Sequence, residues 1–289
     1  MRQHLRPEFN QLVRAIASKP DGLAVAVEIL SMRFHSDRSA KRASVPEAVE
    51  AGKWVLARYQ FHRMNGRAVH EDYSLALTIR SSLVDEDAQP IVRRLCGDFV
   101  AAIGRYEVYA HDYGDSIGAL FEVHPFEMLD QLFSGDQRSQ GQSVHLLNDL
   151  AQFRASPMHA VADDAIIAWC DRDPRARYPV AAAIAPLFKR PADNVPHEWT
   201  SLTQRLLAKA PDPQAVLKEI VRRLHPTSWS GSLATKLESR LQLLERLDVG
   251  MAPGLLAVHN EAKARLKQRV EVERRREIEE DRTRSGRFE

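Results

Sequence analysis

Only two cysteines occur in 289 residues, Cys96 and Cys170. They lie far apart, each within an apolar run of helical period. That rules out a disulfide framework and a zinc site with closely spaced ligands. Two buried thiols in a reducing, cytoplasmic setting are expected instead. Long apolar runs are also missing. No run approaches the ~18 consecutive apolar residues that span a bilayer, and the opening MRQHLRPEFN has no apolar signal core. No membrane partner is therefore expected. Neither sign of charge dominates: 41 basic residues face 39 acidic ones, a net charge of +2. Such a balance gives no long-range field that by itself argues for nucleic acid or an anionic surface.

Catalytic signatures are lacking too. The thirteen glycines never fall into the Gly-x-x-x-x-Gly-Lys-Ser/Thr spacing that cradles phosphate, nor around a serine as Gly-x-Ser-x-Gly. The eleven histidines form no His-x-x-x-His or His-Glu-x-x-His pair. The expectation is no enzyme, no cofactor and no metal. Strand signals are scarce, because Asp21–Gly22 and Asn65–Gly66 lie between helical periods rather than between alternating β-branched runs.

What is present is apolar periodicity of three and four. It runs through Phe9–Leu12–Val13–Ile16 and, after Pro20–Asp21–Gly22, through Leu23–Val27–Leu30–Phe34. Pro46 has the place of a first-turn proline in a helix carrying Val49, Trp54, Val55 and Tyr59. Tyr73–Leu77–Arg80–Val84 forms the next expected face, and Ile91–Leu95–Phe99–Ile103–Tyr106 a longer one.

From residue 125 a larger pattern recurs three times: an apolar helical run, an Asp-bearing turn, and a second run. The copies span Pro125–Phe153, Asp163–Phe188 and Glu198–Leu224, with turns at Gly135–Asp136, Asp173–Pro174 and Asp212–Pro213. The turn aspartates stand 37 and then 39 residues apart. A fixed period of this size marks stacked helical hairpins of the HEAT or armadillo type. Asp suits such a turn because its carboxylate caps the next helix, and Pro fits the first helical position.

Two clusters carry the candidate binding residues. Arg33, His35, Arg38, Lys41 and Arg42 gather around an expected loop, where phosphate contact competes with plain solvation. Tyr106, Glu107, Tyr109, His111, Asp112, Tyr113 and Asp115 form the densest polar–aromatic group. One reading pairs His111 with Asp112 for acid–base work beside stacking tyrosines. The other is a helix end with half-buried tyrosines and an Asp capping the next helix. Asp163–Asp164 suits a helix start through the dipole, and Ser230–Gly231–Ser232 reads as a helix cap. Arg274–Arg275–Arg276 is neutralised by Glu271, Glu273, Glu277, Glu279 and Glu280.

The stretch Trp229-Ser-Gly-Ser-Leu-Ala-Thr-Lys-Leu-Glu-Ser-Arg, with the closing Glu271-to-Arg282 charged run and Arg287-Phe-Glu, resembles the C-terminal helical region of large bacterial defence-type proteins, NTPase- or effector-linked. The resemblance covers residues 226–289 and implies a sensor or scaffold region. It transfers no catalytic residue.

The expected fold is all-α: a HEAT-like α-solenoid, a right-handed stack of helical hairpins closed by a long charged helix. Its divisions are 1–124, an N-terminal helical region; 125–225, the hairpin repeats; and 226–289, a capping helix and the long charged one. The expected function is a non-enzymatic protein-interaction module, a scaffold or sensor. Arg33, Arg38, Lys41, Arg42, Tyr109, His111 and Tyr113 are its candidate contacts, and the last helix is a candidate for self-association. The alternative is a helical-repeat nucleic-acid binder with basic residues along a concave groove.

Overall fold

A computed structural model describes residues 8–63, 68–153, 156–189, 198–226, 229–250 and 253–285. Asn65–Gly66 and Arg287–Glu289 lie outside them. The described residues are all-α: fourteen α-helices, three short 3-10 turns and no strand, with one isolated antiparallel bridge between Phe188 and Trp199. No described helix is long and apolar enough to cross a membrane. The chain divides into two compact units, Met1–Ala165 and Ile166–Glu289.

The first unit holds α1 (Glu8–Ala17), α2 (Gly22–Ser39), α3 (Pro46–Leu56), α4 (Ala68–Ser82), α5 (Gln89–Gly104), α6 (Gly114–Val123), α7 (Pro125–Phe133) and α8 (Gln137–Phe153). Helix α4 packs against α2, α3 and α6. It buries Leu75, Ala76, Leu77 and Ile79 together with Asp72, Ser74, Thr78 and Ser82. A helix buried on every side shows no single apolar stripe. The expected face Tyr73–Leu77–Arg80–Val84 is therefore corrected: Leu77 is buried, but Tyr73 and Val84 are exposed. Helix α3 reaches α4 at a glycine, where a Cβ on Gly52 would stand 2.0 Å from Ser82 Oγ.

In the second unit α9 (Asp163–Asp171) leads in across the division, followed by α10 (Pro174–Ile184), α11 (Ser201–Lys209), α12 (Pro213–Arg222), α13 (Leu233–Glu245) and α14 (Pro253–Ser285). Helix α10 packs on α11 and α12, and α13 lies along α14. Helix α10 stops at Ile184, short of the expected Phe188, because Pro186 cannot continue it. The chain then runs extended: Lys189 N–H donates to Glu198 O at 2.9 Å, and Thr200 N–H to Leu187 O at 2.9 Å.

Helix ends are where the local pattern is most visible. All three turn aspartates accept a backbone N–H three residues on: Asp136 from Ser139 at 2.9 Å, Asp173 from Ala176 at 3.5 Å, Asp212 from Ala215 at 3.1 Å. Other ends are closed from far away in sequence. Arg94 of α5 donates to Leu56 O and Tyr59 O at the end of α3. Arg223, after α12, donates to Ala182 O and Ala185 O at the end of α10, and burial pushes its guanidinium down to about 10. Trp199 Nε1 donates to Leu243 O at 2.7 Å, and His259 Nε2 lies 2.8 Å from Leu244 O, both at the end of α13. Three of these carbonyls also accept an amide at their own helix end, Leu56 O from Tyr59, Leu243 O from Arg246 and Leu244 O from Leu247, so the distant donors add a second bond there.

On α14, Leu255, His259, Ala262, Leu266 and Val270 are buried. Beyond Val270 the helix is mainly exposed, with Val272 and Ile278 open to solvent. Glu277 nonetheless turns back to the start of α13, accepting from Ser232 Oγ at 2.7 Å and Ala234 N–H at 3.1 Å.

Candidate functional site

The segments that follow α3 and α5 meet on the first unit, and a tyrosine fixes their register. Tyr113 has no exposed surface. Its hydroxyl donates to His62 O at 2.6 Å and accepts the His62 N–H at 3.1 Å. Its ring meets Phe61 edge-on, with centroids 4.9 Å apart, and Phe99 at 6.0 Å. Tyr59 extends the cluster, 5.6 Å from Phe61. Burial raises the phenols of Tyr59 and Tyr113 above the usual tyrosine range, so both stay neutral.

The residues flanking this anchor in sequence form an exposed stack. Arg63 Nη2 donates to Tyr109 Oη at 2.8 Å, and the guanidinium carbon stands 4.9 Å from the Tyr109 ring centre. On Tyr109 lies His111, nearly parallel at 14° with centroids 5.5 Å apart. Tyr109 keeps 51% of its surface and the His111 side chain 49%. Nearby Tyr106 is 88% exposed and holds a left-handed backbone, φ 59°. It ends α5 in a Schellman turn, with Tyr106 N–H on Ile103 O and Glu107 N–H on Ala102 O, both at 2.9 Å.

The acid–base reading of His111 and Asp112 meets a longer distance than proton transfer needs. His111 Nε2 stands 3.6 Å from Asp112 Oδ1. Nor does a local aspartate cap α6. That task falls to Asp72 of α4, which accepts the Asp115 N–H at 2.8 Å, the Ser116 N–H at 2.9 Å and the Ser116 hydroxyl at 2.6 Å.

The basic cluster takes a different place from the one its composition predicts. Helix α2 continues to Ser39, so Arg33, His35 and Arg38 are helical rather than on a loop. Arg33 pairs with the buried Asp37 at 3.0 Å. Lys41 adopts φ 50°, and its N–H and that of Arg42 close a second Schellman turn on Arg38 O at 2.9 Å and Asp37 O at 2.8 Å. Arg38, Lys41 and Arg42 thus crowd a helix C-terminus, where the dipole favours cations without any ligand.

Of the predicted residues, Tyr109, His111 and Tyr113 come together, with Tyr113 as buried anchor rather than contact surface. Arg33, Arg38, Lys41 and Arg42 gather on another element. Sequence reasoning missed Arg63 and Phe61, and it read Tyr59 and Phe99 only as parts of helix faces, whereas Tyr59 lies beyond the end of α3. The alternation Tyr59-x-Phe61-x-Arg63 beside a helix end was the available signal. Among the described residues no group of three or more His, Cys, Asp or Glu is placed to hold a metal ion. Compared with protein-family models, curated proteins and solved structures, the chain matches none of them.

Proposed function

We propose that this protein is a non-enzymatic interaction module, a scaffold or sensor whose Arg63–Tyr109–His111 surface seats a protein partner. The observation that carries the reading is the anchored stack. Tyr and Arg are the residues that most often dominate binding energy at protein interfaces. Here they are exposed, and Tyr113 fixes the backbone next to Arg63 through two hydrogen bonds to His62. A surface ordered in advance loses less conformational entropy on binding. A HEAT-like arrangement of hairpins belongs to the same proposal. It is supported by the spacing of the three turns and by the cap that each turn aspartate makes. The long helix α14 would then close the stack or pair with a second copy.

The test is affinity capture by the full chain, with and without nuclease, beside Tyr109→Ala and Arg63→Ala. The expected result is a defined protein that survives nuclease and is lost with either variant. Retention by both variants would remove the stack from the interface. Loss on nuclease treatment, with steep salt dependence, would favour nucleic acid held by Arg38, Lys41 and Arg42.

A further inference from the structure

A cleft of about 190 Å³ opens between α2 and α4 in the first unit. Each helix offers it three residues at the i, i+1, i+4 spacing of one helical face: Ala24, Val25 and Glu28 from α2, and His70, Glu71 and Ser74 from α4. Val27 and the buried Tyr59 complete the lining. The lining is therefore apolar apart from two carboxylates, one on each helix, with a histidine and a serine beside Glu71.

Neither carboxylate is used up by the fold. The Glu28 carboxylate has no hydrogen-bond or ion-pair partner among the described residues, its residue contributing only a backbone carbonyl to Ser31 Oγ. Glu71 meets His62 Nε2 only at 3.7 Å, beyond hydrogen-bond reach. Two carboxylates lining one cleft, Glu28 exposed and Glu71 half-buried, disfavour an anion there. A hard divalent cation would want an oxygen-rich cage, and the described residues offer no cluster of three ligands. The species that answers both features carries a compact positive charge with N–H donors on an apolar stem.

We propose that the α2–α4 cleft binds a primary aliphatic ammonium group, with Glu28 and Glu71 holding the charged head and Ala24, Val25 and Val27 the alkyl stem. The ligand is a free alkylamine or a lysine side chain of another polypeptide, which present the same chemistry. The inference does not rest on the Arg63–Tyr109–His111 surface. A failed partner capture leaves it standing, and its own failure leaves that reading intact.

The test is calorimetric titration of the full chain with n-butylammonium chloride at constant ionic strength. Neutral n-butanol and a blocked Ala-Lys-Ala peptide serve as parallel probes. Saturable binding of butylammonium is expected, with butanol at least about tenfold weaker. Glu28→Gln and Glu71→Gln should each weaken butylammonium by about tenfold, the scale of one charge-assisted hydrogen bond, with helix content unchanged by circular dichroism. A peptide that binds more tightly than the amine identifies a polypeptide lysine; a weaker one identifies a free amine. Absence of saturation, equal affinity for butanol, or carboxamide variants that bind like wild type would each overturn the proposal.

Discussion

Asp72 has no exposed surface, yet it carries a carboxylate. A buried carboxylate is costly unless it is hydrogen-bonded. Its oxygens accept two N–H groups from the first turn of α6 and the Ser116 hydroxyl, so it serves as the cap that α6 lacks locally. Burial still pushes the carboxyl up, and the bonds from Ser116 and Asp115 pull it only part of the way back. Asp72→Ala leaves two buried donors without an acceptor and should cost about 2–4 kcal/mol in urea unfolding. Asp72→Asn keeps the shape and one acceptor and should cost less. The pH dependence has a definite sign. A raised carboxyl contributes stability that is full below the ordinary Asp value of about 3.9 and is lost as pH rises through the raised value. The lead of wild type over Asp72→Asn should therefore shrink from pH 4 to pH 7. An alanine variant as stable as wild type would remove Asp72 as the α6 cap. No sequence pattern announces this contact, because Asp72 and Ser116 stand 44 residues apart.

At the scale of the element, the helix starts that could be read in advance are those capped from within. Asp136, Asp173, Asp212 and Ser232 each accept from an amide three residues on, and that geometry is local enough to appear as a residue type beside an apolar run. Surrounded helices were not legible in the same way: on α4 the true core positions run all round, and a stripe of period four selects only part of them. The basic run at Arg38–Arg42 was misplaced for a related reason. Composition resembles a loop, whereas the backbone ends a helix in a left-handed turn at Lys41. The start of α13 has both kinds of cap, the local Ser232 and the distant Glu277. Hydrogen bonds from Ser232 and Ala234 hold the Glu277 carboxyl below the usual range. A lowered carboxyl contributes stability that is present above the ordinary Glu value of about 4.3 and is lost as pH falls through the lowered one. Wild type should thus exceed Glu277→Gln by about 1 kcal/mol at pH 7, the scale of one helix cap. The gap should close as the pH is taken below about 4. Urea titrations followed by helical circular dichroism at both pH values decide it, and a gap independent of pH would mean that Glu277 acts by packing alone.

For the whole molecule, the division into two compact units makes the two cysteines separate reporters. Cys96 lies on α5 in the first unit and Cys170 on α9 within the second. Both are free and buried, and burial pushes each thiol up to about 12. Thiolate is the reactive form, so neither should react with a disulfide reagent near neutral pH until its surroundings open. Cys170→Ser leaves Cys96 to report on the first unit, and Cys96→Ser leaves Cys170 to report on the second. Local opening differs between cooperative units, so the two labelling rates should diverge as urea is raised below the unfolding transition. A perturbation confined to one core should then move only one of them. Gly52→Ala supplies it, since the added methyl would fall 2.0 Å from Ser82 Oγ and 2.8 Å from its Cβ, forcing α3 away from α4. Labelling of Cys96 should accelerate by about tenfold or more, the kinetic equivalent of roughly 1.4 kcal/mol, while Cys170 keeps its rate. If both cysteines accelerate together, the chain opens as a single cooperative body and its two compact units are not independent in stability.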